Sequence, residues 1–228
     1  MLTLTENRRQ HDPIERDALE QFRSGDVDQA IGMLRGNGRV VTGANAESVR
    51  DGMVEQGWQH RSAGHDVLMM ARRNTDVDDL NRRSRRHVRA AGELSGEPLV
   101  VNERPFQIGD QVICTRNDYA NGVRNGTTGS ITNIDHQRTA VTLSTADGTR
   151  RLDDEYLVAG SMRHGYAITV HKAQGRTCDH GLLLASDDLH REMGYVGLRR
   201  GKQSNRMYLV ADEQGPRART PRHANRSG

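Results

Sequence analysis

No apolar run in the 228 residues approaches the roughly 20 that a helix needs to cross a bilayer. The N-terminus lacks a basic segment followed by an apolar core, so no secretory signal is read there. Cysteine is scarce: Cys114 and Cys178 form no metal-like cluster and read as reduced thiols. These absences predict a cytoplasmic protein with no metal site and no membrane partner. Lysine is nearly missing as well, with only Lys172 and Lys202. Arginine carries the remaining basic charge. It suits bidentate phosphate contact, although a GC-rich genome gives the same bias. A net charge of +3 is no global polyanion signal. The sequence also contains no G-x-x-x-x-G-K-[ST] and no strand ending in an Asp-Glu pair. Asp153-Asp154-Glu155 falls in or beside a β region, and Asp187-Asp188 opens a helix. The phosphate cradle and metal carboxylate of a nucleotide site are therefore not in this stretch.

What is present alternates between strand and helix patterns. Leu2 and Leu4 alternate with threonines as a short strand. Asp12-Pro13-Ile14-Glu15 opens a helix, with Asp12 as cap and Pro13 at its first position. Ile14, Ala18, Leu19 and Phe22 are its expected apolar face, and Gly25 ends it. A second short helix follows with Ala30, Ile31 and Leu34 inward. Val40-Val41 reads as a strand, residues 46–57 as a helix, and the run Val67-Leu68-Met69-Met70-Ala71 as a strand buried on both faces of a parallel sheet. Thr75 is the expected cap of the next helix. Val77, Leu80, Ser84, Val88 and Ala91 line one side of it. Arg82, Arg83, Arg85, Arg86 and Arg89 lie off that side, as a solvated face balanced by aspartates or as a track for DNA phosphates.

The pattern changes near Ser95-Gly96. Short strands are expected at 98–101, 111–115, 129–134, 139–144 and 151–152, with Asn125-Gly126 and Asp147-Gly148 as turns. The α/β pattern then resumes with strands near 166–170, 181–185 and 207–210, and a helix from Ser186-Asp187 to about Leu198. Residues 213–228 are polar, hold two prolines and four arginines, and read as a disordered basic tail.

Three strings carry chemistry. The stretch Thr169-Val170-His171-Lys172-Ala173-Gln174-Gly175 follows a short apolar strand. Its polar groups suit phosphate, and Gly175 lets a ligand approach the backbone. Composition alone is equally met by a polar loop beside a buried strand. In its order the string resembles motif V of superfamily 1 helicases of the RecD-like kind, including the helicase part of conjugative relaxase-helicases. Tyr195-Val-Gly-Leu-Arg-Arg-Gly201, with Asn205 and the run 207–210, resembles motif VI. The string L-T-E-N-R-R-Q, residues 4–10, looks like the motif IV region.

The resemblance implies a fold and a division of labour. The fold is α/β: the second, RecA-like motor domain of a helicase, split into 1–95 and 158–212 around an inserted SH3-like β-barrel at 96–157. The string F-Q-I-G-D-Q-V-I-C-T-R-N-D-Y looks like that barrel. Arg200 would be the arginine finger at an ATP γ-phosphate, and Arg9 would support it. Gln10, Gln174 and Gly175 would face the nucleotide. Thr169, His171 and Lys172 would contact single-stranded DNA, with Arg116, Asn117, Tyr119 and Arg124 of the barrel as further candidates. ATP and Mg would bind only in a complete helicase, with the Walker-containing domain supplied elsewhere, such as by a separate chain. Two features depart from the pattern. Thr177 stands where many relatives carry glutamate, and Arg199 where a small hydroxyl residue precedes the finger. Alternative expectations are a stand-alone single-stranded DNA-binding module and an inactive remnant of a mobile element.

Overall fold

The computed structural model describes residues 12–185 and 195–210. The expected strand at Leu2–Leu4, the pair Arg9-Gln10, most of the helix after Ser186 and the tail from 213 lie outside the described residues. Elements are numbered along the chain. Strands β1 (Val40–Gly43), β2 (Val67–Ala71), β10 (Ala167–Thr169), β11 (Cys178–Leu184) and β12 (Gly201–Val210) form a sheet that is parallel throughout, in the order β1-β12-β11-β2-β10. Helices α1 (Pro13–Ser24) and α2 (Val27–Gly36) cover one face, where Leu19, Phe22 and Leu34 join Met70, Leu183 and Met207. Helices α3 (Ala46–Ser62) and α4 (Asn74–Ala90) cover the other, where Met53, Leu80 and Val88 join Met69, Leu182 and Tyr208. Successive residues of β2 thus enter opposite cores, which is why its sequence is an unbroken apolar run.

The helix starts follow local chemistry. The Asp12 carboxylate accepts from Ile14 N at 2.9 Å, Pro13 takes the first position, and Gly25 closes α1 at φ 106°. Asn45 and Ser48 cap α3 reciprocally. Three expectations fail. Ile14 is 41% exposed, and Glu15 takes the inward place instead. Its carboxylate receives Asn205 N at 3.0 Å, Asn205 Nδ2 at 2.8 Å and Arg39 Nε at 3.0 Å, which compensates the buried charge. Thr75 is not the cap of α4. The helix begins at Asn74, so Thr75 lies within its first turn, and the capping position is Arg73, whose side chain makes no capping bond to the helix. Ala91 lies just past the helix end and is exposed.

Between α4 and β10 the chain builds a small antiparallel unit. Strands β3 (Ser95–Val101) and β4 (Arg104–Ile108) form a hairpin. Strands β5 (Gln111–Cys114), β6 (Thr128–Asp135), β7 (Ala140–Thr145), β8 (Gly148–Leu152) and β9 (Met162–His164) form a sheet in the order β8-β7-β6-β5-β9. Short helix α5 (Asp154–Val158), capped by Asp153, packs Tyr156 and Leu157 into its core with Phe106, Ile131, Leu143 and Leu152. The sequence reading lacked β4, α5 and β9, so the antiparallel region runs past the expected end at 157 to His164. One buried carboxylate ties this unit to the parallel sheet and its helices. Asp110, fully inaccessible, accepts from Arg85 Nε of α4 at 2.9 Å and from Tyr166 Oη, just before β10, at 2.8 Å.

Candidate nucleic-acid interface

The Thr169–Arg176 segment forms one helical turn after β10. Val170 N continues the parallel ladder to Ala71 O at 3.0 Å, and Ala173 N returns to Thr169 O at 3.0 Å. The Thr169 hydroxyl caps the turn by accepting from Lys172 N at 3.3 Å. Val170 and Ala173 are buried against the core shared with α1, whereas His171, Gln174 and Gly175 are exposed. Gly175 sits at φ 86° with no atom within 4 Å of where a Cβ would stand, so its peptide is open to a ligand. Lys172 is half-buried. Burial pushes its ammonium below the ordinary lysine value, and the Arg163 charge adds to that shift.

Residues of the second string hold this turn from below. Arg200 is 6% exposed. Its Nε donates to Val196 O at 2.8 Å, and one terminal nitrogen donates to Arg176 O at 3.2 Å and Ala173 O at 3.4 Å. The residue expected to face a phosphate thus clamps the exposed Gln174-Gly175 turn. Arg199 lies half-exposed over the Tyr195 ring at 4.6 Å. Asn205 fixes the start of β12 by accepting from Gly201 N at 2.8 Å and donating to Gly201 O at 3.0 Å. A Cβ on Gly201 would overlap Ser204 O and crowd Gly181 N at 2.8 Å.

The other DNA candidates cluster in the loop after β5. Tyr119 is 76% exposed. Asn117 accepts from Asn125 N at 2.8 Å and donates to the Tyr119 hydroxyl at 3.3 Å. Arg116 is exposed over the Tyr156 ring at 5.6 Å, and Arg124 is exposed as well. Among the described residues, no hydrogen bond or ion pair joins this loop to the turn at 169–176. The link is indirect: Arg163 of β9, beside Lys172, pairs in register with Ile113 of β5. Arg176 adds a direct tie between the turn and the antiparallel unit, donating to Thr128 Oγ1 of β6 at 3.2 Å.

Sequence reasoning missed Asn81. It lies buried on α4 and treats β10 as a missing edge partner would. Its Oδ1 accepts from Ala167 N at 2.9 Å, and its Nδ2 donates to Ala167 O at 3.1 Å. The available signal was a polar residue directly after Leu80 on a helix that needed an inward face. Three of the five α4 arginines hold aspartates: Arg83 with Asp79 and Asp51, Arg82 with Asp79, and Arg85 with buried Asp110.

A five-stranded parallel sheet between helices, with an antiparallel unit inserted before its edge strand, is a helicase-like fold. The Pif1 helicase from Bacteroides, solved in complex with ADP-AlF3 and ssDNA, matches with a TM-score of 0.56 over 90% of this chain and 51% of that one. The Pif1 helicase from Candida albicans gives 0.56 over 88% and 54%. Identities of 15% and 16% make these likenesses of fold. In sequence, the chain is homologous to a segment of two larger proteins. Conjugal transfer protein TraA of Rhizobium radiobacter is 29% identical over 204 residues, covering 88% of this chain and 18% of that protein. RecBCD enzyme subunit RecD of Mycolicibacterium smegmatis is 29% identical over 236 residues, covering 90% and 39%. The chain therefore spans under a fifth of TraA and about two-fifths of RecD. No family model matches it. Among the described residues no helix is long and apolar enough to cross a membrane.

Proposed function

We propose that these residues are the C-terminal motor domain of a RecD-like helicase, with the antiparallel unit as its SH3-like insertion. In this reading the domain grips single-stranded DNA through Thr169, His171 and Lys172. The observation that carries it is the Thr169–Arg176 turn. The turn starts at the C-terminal end of edge strand β10 and finishes at the N-terminal end of β11, with its second half bonded to Arg200. Tyr119, Arg116 and Arg124 are exposed in one loop and supply a base-stacking ring and phosphate-binding cations, which suit single strands.

ATP and Mg enter this reading only through a partner segment or chain bearing the Walker motifs. Gly175 fits a nucleotide neighbour, because its peptide is uncovered and carries no Cβ. Arg200 would exchange its carbonyl partners for a phosphate when that partner closes on it, with Arg9, Gln10 and Gln174 alongside. An arginine finger raises the rate about a thousandfold or more, but only opposite a held phosphate. The 228-residue chain alone is therefore expected to turn over no ATP.

The test is fluorescence anisotropy with a labelled single-stranded oligonucleotide at two salt concentrations, without nucleotide. Salt-sensitive binding that a His171→Ala, Lys172→Ala double variant loses is the expected result. Binding that the double variant retains in full, or ATP turnover by the purified chain, would overturn the reading.

A further inference from the structure

A basic groove of about 380 Å³ runs between α4 and β4. Arg82, Arg86 and Arg89 line it from the helix and Arg104 from the strand. Positions 82, 86 and 89 fall on one helical stripe about 10 Å long. Most neighbouring cations are committed. Arg85 holds Asp110, Arg82 holds Asp79 at 2.9 Å, and Arg104 approaches Asp78 at 3.6 Å. Arg86 and Arg89 are exposed and have no carboxylate partner among the described residues. The groove approaches the turn described above through Arg163, which stands 4.0 Å from Asp78 in the groove lining and whose charge acts on Lys172. Asp78 and Glu103 lie among the arginines of the lining, and Arg163 and Arg104 share Asp78.

We propose that this groove extends the single-strand path, with Arg86 and Arg89 contacting successive phosphates of single-stranded DNA that leaves the Thr169–Arg176 turn. The inference rests on the reading of that turn as a DNA grip. The groove lies between a helix and a hairpin, and a basic groove of this kind tracks the backbone of a single strand. The two arginines are the groups left to receive phosphates, because the other cations already neutralise carboxylates of this protein.

The test compares two oligothymidylates, of about 5 and about 12 nucleotides, on the full chain and on an Arg86→Ala, Arg89→Ala variant. Neither side chain carries a fold contact, so the variant is expected to melt like the parent. For the longer oligonucleotide, binding should weaken roughly tenfold at moderate salt, and the slope of log K against log salt should shrink by about 1.4. The short one should bind unchanged. Equal loss for both lengths, an unchanged salt slope, or a loss seen with duplex alone would overturn the extension. Absence of single-strand binding by the parent chain would instead sink the underlying reading.

Discussion

At the scale of single residues, His180 is the group whose protonation the fold resists most clearly. It is 7% exposed, stacks on His60 at 3.8 Å, and meets His65 edge-on at 4.9 Å. Its Nδ1 shares a 2.8 Å bond with Ser204 Oγ, while Nε2 is buried without a hydrogen-bond partner. Burial first, then the neighbouring His60 and His65, push its pKa from the ordinary 6.5 down to about 4; Asp179 acts the other way and Arg206 with the shift. The folded protein therefore binds fewer protons at this site than the unfolded chain across that window. The stabilisation is complete above pH 6.5 and is lost as pH falls towards about 4. Glu15 opposes this trend, because burial raises its pKa and acid favours its folded form. A His180→Asn variant separates the two. On going from neutral to mildly acidic pH the variant should lose less stability than the parent, and an identical pH dependence in both would contradict the assignment.

At the scale of elements, the placement of β10 depends on α4. Among the described residues strand β10 is the last in its sheet, and one of its backbone edges pairs with no strand there. Asn81 satisfies both polar groups of Ala167 there. An Asn81→Ala change leaves a buried donor and acceptor unpaired, at a cost on the order of 2–4 kcal/mol. The expected outcome is a lower denaturation midpoint together with weaker single-strand binding, since β10 leads directly into the Thr169–Arg176 turn. Unchanged stability would refute the edge role. The same element shows what sequence could and could not disclose. The unbroken run of β2 and the Asp12-Pro13 start of α1 were legible, because each follows from backbone geometry and local capping. Strand β4 was not. Its hairpin tip places Asn102 and Glu103 at φ 48° and 63° without a glycine, and Pro105 sits within the strand. The tip is held instead by Asn102 Nδ2, which donates to Val158 O at 2.9 Å and to Leu157 O at 3.4 Å. That is a contact 56 residues away in sequence. Glu15 was misread for the same reason: its partner Asn205 is 190 residues distant.

At the scale of the whole molecule, the strings at 169–175 and 195–201 come together as one unit. Arg200 binds the carbonyls of Ala173 and Arg176, and Cys178 N donates to Arg200 O at 3.0 Å. The antiparallel unit is tied to that site by Asp110, which accepts from Tyr166, and by Arg176, which donates to Thr128. The resemblance implied that Arg200, Gln174 and Gly175 meet at one site, but not that Arg200 would be buried. Its burial depends on carbonyls that only the folded turn presents. In the proposed reading the turn and the 116–125 loop grip a single strand together. Hydrogen–deuterium exchange of the full chain, with and without a saturating single-stranded oligonucleotide, tests this. Slowed exchange at 169–176 and 116–125, with the sheet core unchanged, is the predicted result. Protection that leaves both segments untouched while the oligonucleotide is bound would contradict it.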